Sequence, residues 1–105
     1  MDVKKRRRLE AGGWRVGSTQ EFLDLSDAEA ALVEMRASLG AKLRSRRERA
    51  RLTQTAVARR LKSSQSRVAK MEAGDPDVSF ELLIRAHLIL GARRAEIGRY
   101  LAAAV

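Results

Sequence analysis

The sequence predicts an all-α domain, and both its composition and its capping residues support this. Good helix formers, namely Ala, Leu, Arg and Glu, dominate the 105 residues, and β-branched residues nowhere alternate as they would in a strand. Residues that can cap helices recur along the chain. We therefore expect a bundle of about five helices in residues 26–105, preceded by an N-terminal extension, residues 1–25, that contains a short helix.

Two capping boxes predict the first two helices. Residues 18–21, Ser-Thr-Gln-Glu, should open a short helix that ends near Leu25, and residues 26–29, Ser-Asp-Ala-Glu, should open a longer one that ends near Ala50. In the long helix, apolar side chains recur on one stripe: Ala28, Leu32, Met35, Leu39, Leu43 and Ala50. Gly40 lies within this stripe and could divide the helix in two.

Hydroxyl caps and glycines delimit the shorter helices that follow. Thr53, Ser64 and Ser79 can each cap a helix, and Gly74 and Gly91 can each end one. The predicted helices are Gln54–Leu61, Gln65–Ala73, Phe80–Leu90 and about Arg93–Ala103.

The net charge is concentrated in one segment. Residues 42–70 contain eleven Lys or Arg and a single acid, Glu48; residues 1–41, 42–70 and 71–105 carry 0, +10 and −1 of the net +9. The basic segment contains two predicted short helices separated by a tight turn. A compact basic helical hairpin is suited to a phosphate backbone, so double-stranded DNA is the expected partner.

Other functional classes find little support in the composition. The chain has no Cys, which excludes disulfides and thiolate chemistry and suits a cytoplasmic protein. It has no apolar run approaching the ~20 residues that cross a bilayer. The single histidine, His87, lies on an apolar helix side and is better explained as a core residue than as a catalytic or metal-binding one. We expect no cofactor, no metal and no enzymatic activity.

The segment LTQTAVARRLKSSQSRVAKMEAG, residues 52–74, resembles the helix-turn-helix of the lambda-repressor-like (Xre) family, and the resemblance extends over about residues 38–101. Ala58 is small where the two helices would cross closely. Four apolar residues would face inward at helical spacing: Val57, Leu61, Val68 and Met71. The resemblance implies a lambda-repressor-like helix-turn-helix bundle whose second helix enters the major groove.

Candidate DNA contacts follow from this placement of the second helix. Its outer face is expected to read bases through Gln65, Ser66, Ala69 and Lys70, with Arg67 at the flank. Phosphate contacts are expected from Arg44, Arg46, Gln54, Arg59 and Lys62. The alternative for such a polar face, taken alone, is an ordinary solvated surface.

Two further positions are interpreted through the resemblance. Arg47 matches a family arginine that pairs with the glutamate matched here by Glu72, although Arg47 could instead face a phosphate. Lys62 stands where the family's turn usually has Gly, and Ser63 where it has an apolar residue. A left-handed Lys costs about 1–2 kcal/mol relative to Gly, and the charge of Lys62 could contribute a phosphate contact in return.

The N-terminal string WRVGSTQEFLDLSDAEAALVEMRASL, followed directly by the helix-turn-helix, resembles small Xre-type antitoxins similar to HigA. This resemblance implies a repressor of its own operon that also neutralises a RelE/ParE-like toxin, with residues 1–25 as the candidate toxin-binding segment. A homodimer would bind a palindromic operator. The alternatives are a stand-alone or phage-type Xre repressor without a toxin, and an RNA-binding or coactivator protein with the same fold.

The predicted helix 80–90 is apolar nearly all round, which suggests burial against a partner subunit. The candidate dimer interface comprises Leu82, Leu88, Ile89 and Tyr100. Packing by the terminal helix alone is the other explanation. At the opposite end of the chain, the basic run 4–8 is either a solvated tail or an arm along DNA. Trp14 either folds back onto the long helix or docks into another protein.

Overall fold

The computed structural model describes residues 17–103, with side chains from Ser26 onward, and these residues form five α-helices and no strand. The helices are α1 Gly17–Arg49, α2 Gln54–Leu61, α3 Gln65–Ala73, α4 Phe80–Ile89 and α5 Arg94–Ala102. The predicted all-α fold is confirmed. The basic run 4–8 and Trp14 lie outside the described residues.

Helix α1 is one continuous helix of 33 residues, so the prediction that a new helix begins after Ser26 was wrong. Ser26 lies inside the helix, and the surrounding residues include no proline to stop it. Gly40 does not break the helix either. A Cβ atom at Gly40 would lie 2.5 Å from the carbonyl oxygen of Met71 and 2.8 Å from that of Glu72. The glycine therefore allows the backbones of α1 and α3 to approach closely.

The chain divides after Leu32 into two units. In the first, the structure describes the start of α1. The second, Val33–Val105, contains the rest of α1 and the four short helices, and it holds the hydrophobic core. Among the described residues, none of the helices is both long and apolar enough to cross a membrane.

Two clusters of buried side chains make up the core. The larger joins α1, α4 and α5 to the end of α3, through Leu39, Leu43, Met71, Val78, Leu83, Ala86, Ala92 and Ile97. The smaller lies between α2 and α3, through Val57, Ala58 and Val68. Leu61 and Leu90 pack against both clusters. The predicted inward positions of the hairpin are thus buried or, at Leu61, half-buried.

The predicted apolar stripe of α1 is buried only in its middle. Leu39 and Leu43 are fully buried, Met35 is half-buried, and Ala28, Leu32 and Ala50 are exposed. Only the middle of the stripe meets the core, because helical spacing shows which residues share a face but not how far along the helix its partners extend.

Side-chain caps begin α2, α3 and α4 as predicted. The hydroxyls of Thr53, Ser64 and Ser79 each accept a hydrogen bond from the backbone N–H three residues later, at 3.0, 3.2 and 3.1 Å. Helix α5 begins differently, because the carboxylate of Glu96 accepts from the backbone N–H of Arg93 at 2.8 Å. This hydrogen bond, together with the nearby guanidinium of Arg46, lowers the pKa of Glu96.

Four helices end with the same hydrogen-bond pattern. In each, a left-handed residue donates its N–H to the carbonyl three residues back, and the next N–H bonds the carbonyl five residues back, at 2.9–3.2 Å. The left-handed residues are Arg51 (φ 59°), Lys62 (φ 54°), Gly74 (φ 73°) and Gly91 (φ 97°). A side chain in this conformation costs about 1–2 kcal/mol relative to Gly.

Polar contacts hold α5 and the residues around the start of α4 against α1. The hydroxyl of Ser38 donates to the carbonyl of Tyr100 at 2.7 Å. The Nε of Arg36 donates to the carbonyl of Val78 at 3.2 Å, and its guanidinium lies 4.4 Å from the ring centre of Phe80. These contacts span 42 and 62 residues of sequence.

His87 is fully buried where α1, α4 and α5 meet. Its Nε2 lies 2.9 Å from the carbonyl oxygen of Leu39, which requires that nitrogen to carry the proton. Its ring packs 5.3 Å from that of Tyr100. Burial, opposed by the hydrogen bond to Leu39, lowers the pKa of His87, and the charge of Arg46 lowers it further. The histidine is therefore a neutral core residue.

Candidate nucleic-acid interface

Helix α3 has one buried side and one polar, exposed side. Val68 and Met71 are fully buried. The opposite side carries four of the five predicted base-reading residues, and Arg67 lies at its flank. Ala69 is half-buried and the others are exposed: Gln65, Ser66, Arg67 and Lys70.

Arg47 of α1 is bound to the end of α3. Its Nε and Nη2 donate to the two carboxylate oxygens of Glu72, at 2.5 and 3.1 Å, and its Nη1 donates to the carbonyl of Leu52 at 3.0 Å. This is the ion pair that the resemblance implies. Both side chains are largely buried, and the hydrogen bonds that Arg47 donates to Glu72 raise the pKa of Arg47. The bidentate pair joins α1 to α3.

The same carboxylate continues into a chain of amides that ends at the surface. Gln54 at the start of α2 donates its Nε2 to Glu72 at 3.0 Å, and Gln65 at the start of α3 donates its Nε2 to the Oε1 of Gln54 at 2.6 Å. We call Arg47, Glu72, Gln54 and Gln65 the polar relay. Because a carboxylate only accepts hydrogen bonds, the relay sets the orientation of both amides.

The relay leaves Gln65 with defined binding groups. Its Oε1 and its second Nε2 hydrogen are not used by Gln54, and the side chain is exposed. An acceptor and a donor side by side match the adenine edge in the major groove. Gln54, predicted to contact a phosphate, retains one amide hydrogen beyond those used in the relay.

The predicted phosphate contacts lie in different environments. Arg59 and Lys62 are exposed, and Arg44 is exposed while forming a pair with Glu48 at 3.1 Å. Arg46 is different, because its side chain is only 14% exposed. Its Nη2 lies 2.9 Å from the Tyr100 hydroxyl and 3.4 Å from the carboxylate of Glu96.

Arg46 thus binds α5. Ser38, Lys42 and Arg46 share one side of α1, and all three contact Tyr100: Lys42 places its ammonium 5.7 Å from the ring centre. Since that side of α1 is covered by α5, we leave Arg46 out of the proposed phosphate contacts. Charge and helical position alone could not distinguish it from Arg44.

A family model described as a helix-turn-helix domain matches residues 38–99, which is more than half of the chain. The chain belongs to the helix-turn-helix domain family. Comparisons with curated proteins and with solved structures found no match. The α2–α3 hairpin is the helix-turn-helix of this chain, and such domains bind DNA with the second helix in the major groove.

Arg51 of the helix-turn-helix domain was not among the residues that the sequence singled out. It is exposed, and its left-handed backbone matches that of Lys62. The signal that could have identified it is its position: it follows the last turn of α1 and precedes the cap Thr53, where a helix-ending glycine is the common choice.

Proposed function

We propose that this protein is a sequence-specific DNA-binding transcriptional regulator whose helix α3 reads base edges in the major groove. The polar relay is the observation that carries the proposal. It links a largely buried ion pair to an exposed Gln65 whose amide orientation is already set. Preorganisation of a polar side chain reduces the entropy lost on binding, which favours recognition of one base over another.

The contacts divide into two classes in this proposal. Bases are read by the outer side of α3, with Gln65 and Lys70 as the main readers and Ser66, Arg67 and Ala69 beside them. Phosphates are held by Arg44, Gln54, Arg59 and Lys62. The phosphate contacts supply affinity that is independent of sequence, and the base contacts supply discrimination.

A homodimer on a palindromic operator is the proposed assembly, with the two copies of α3 about 34 Å apart along the DNA. Leu88 and Ile89 at the end of α4 are 46% and 43% exposed, which is unusual for large apolar side chains. Leu82 and Tyr100 are half-buried and pack against the core. We therefore assign the proposed subunit contact mainly to Leu88 and Ile89.

The test is a salt titration on two DNAs, an operator selected from random duplexes and a scrambled duplex. Gln65→Ala or Lys70→Ala should cost about 1–3 kcal/mol on the operator and little on the scrambled DNA. Arg44→Ala or Arg59→Ala should weaken both and lower the salt slope by about one unit per contact. Arg85→Ala is the control, because Arg85 is an exposed cation of α4 paired with Glu81. Equal losses on both DNAs for Gln65→Ala would contradict the proposed position of α3.

An antitoxin role is the second candidate, supported by the resemblance to HigA-type antitoxins and by one structural observation. Helix α1 begins at Gly17, well before residue 38, where the family match starts, so the chain extends beyond the DNA-binding domain on that side. The partner proposed is a RelE/ParE-like toxin bound through residues 1–25.

This second candidate is tested by co-expression with the product of the adjacent reading frame. The full chain should co-purify with a toxic partner, whereas a chain that begins at Ser26 should keep operator binding and lose the partner. A regulator without a toxin would bind its operator equally well in both forms and co-purify with nothing.

A further inference from the structure

The four helix-ending residues of the domain fall into two pairs. All four adopt the same left-handed conformation within the same hydrogen-bond pattern. The two that end α3 and α4, Gly74 and Gly91, are glycines, as this conformation favours. The two that flank α2, Arg51 and Lys62, are cations.

Available space explains only one of the two glycines. At Gly74 a Cβ atom would lie 3.1 Å from the Cα of Ala37, so a side chain there would be crowded. At Gly91 nothing lies within 4 Å of such a Cβ, yet the residue is glycine. The position along the fold separates the pairs instead, because only Arg51 and Lys62 lie at the two ends of α2.

Arg51 and Lys62 lie just before and just after α2, which places them near the DNA backbone in a helix-turn-helix complex. Helix α2 has eight residues and is about 12 Å long, close to the width of the major groove. In helix-turn-helix domains the first helix of the pair crosses the DNA backbone. Both side chains are exposed, and within residues 26–103 neither forms an ion pair.

We propose that Arg51 and Lys62 form a phosphate clamp, in which each contacts the DNA backbone at one end of α2. The inference rests on the proposed DNA-binding function and adds Arg51 to its contacts. In this clamp a cation replaces the conformationally favoured glycine at each position, so folding stability is lower and affinity for DNA is higher. The two quantities should therefore change in opposite directions when the cations are removed.

The experiment measures thermal unfolding and DNA binding for Arg51→Gly, Lys62→Gly and the double variant. Each single change should raise Tm by about 2–5 °C, because relief of the left-handed strain exceeds the added flexibility of the unfolded chain. Each should weaken binding about fivefold on operator and scrambled DNA alike, and should lower the salt slope by about 0.9.

Matched variants separate the effect of the positive charge from the effect of the left-handed backbone. Arg51→Lys and Lys62→Arg keep the charge and should keep both the wild-type Tm and the wild-type salt slope. Gly91→Lys places a cation in the same motif away from α2; it should lower Tm and leave the salt slope unchanged.

The results distinguish the clamp from the broader proposal. If wild-type protein binds neither DNA, the proposed function fails and the clamp fails with it. If wild type binds and Arg51→Gly retains the full salt slope, the clamp is wrong while the proposed function stands. A lower Tm in the Gly variants would also overturn the clamp, because the side chains would then stabilise the fold itself.

Discussion

The α2–α3 and α4–α5 pairs use similar helices for different purposes. The helices have 8 and 9 residues in the first pair and 10 and 9 in the second, and a left-handed residue follows both α2 and α4. In α4–α5 the larger apolar cluster buries Leu83 and Ile97 against α1. In α2–α3 the second cluster is small, and the exposed side of α3 is mostly polar. The α4–α5 pair therefore anchors the domain through its core, whereas the α2–α3 pair exposes a polar surface.

The hydrogen-bond networks of the two helix pairs lead to different places, one to the interior and the other to the surface. The polar contacts of α5 point inward: Arg46 binds the Tyr100 hydroxyl and Ser38 binds the Tyr100 carbonyl. The polar relay begins at Arg47 in the interior and ends outside, at Gln65. The hydrogen bonds of α5 therefore stabilise the fold, whereas those of the polar relay orient an exposed side chain. The following variants test this division.

The largest expected effect is on the anchoring pair. Leu83→Ala removes a fully buried side chain from α4 and should lower the free energy of unfolding by about 3–4 kcal/mol, because of lost burial and the cavity that remains. Urea denaturation measures this loss. Where the variant is still folded, its salt slope on DNA should equal that of wild type; a changed slope would mean that α4 contributes directly to the DNA interface.

The next effect tests the interior end of the polar relay. Glu72→Ala leaves Arg47 largely buried without its partner and should cost about 3 kcal/mol of stability. Glu81→Ala removes the exposed partner of Arg85 and serves as the matched control, with a change near zero. Equal small losses for the two variants in urea denaturation would show that the relay's ion pair contributes no more than a surface pair.

A smaller effect is expected in the middle of the polar relay. Gln54→Ala removes the link between Glu72 and Gln65 and should cost about 1 kcal/mol of stability. Operator affinity should fall more than affinity for scrambled DNA, because the amide of Gln65 is no longer oriented. Fluorescence anisotropy on both DNAs measures the ratio. An unchanged ratio would show that Gln65 does not need the relay to read its base.

The smallest effect comes from His87 in the anchoring pair. Its pKa is lowered in the folded state, mainly by burial, so the unfolded chain binds more protons below the ordinary value of about 6.5. Stability should change little between pH 7 and 8 and should fall as the pH drops below about 6.5, where the unfolded chain takes up a proton that the buried ring resists. His87→Gln can retain the hydrogen bond to Leu39 and should flatten this slope. Persistence of the slope in that variant would assign it to another group.

The sequence alone predicted the local structure well where local chemistry decides it. Caps at Thr53, Ser64 and Ser79 follow from hydrogen bonds within a few residues, whereas the left-handed conformation of Lys62 was expected from the family resemblance. The buried side of the hairpin followed from helical spacing, and the concentration of positive charge followed from counting. The fold class and the outer face of α3 are therefore properties that residue order by itself determines.

Tertiary packing decided the features that depend on distant residues. Arg44 and Arg46 are two residues apart on one basic helix, and only the position of α5 places Arg46 against Tyr100 while Arg44 remains exposed. Gly40 resembles a helix break in sequence, but its role is set by the carbonyls of α3 that lie against it. The polar relay joins residues as many as 25 positions apart. Helical periodicity determines which residues share a face, whereas only the packed chain determines what that face meets.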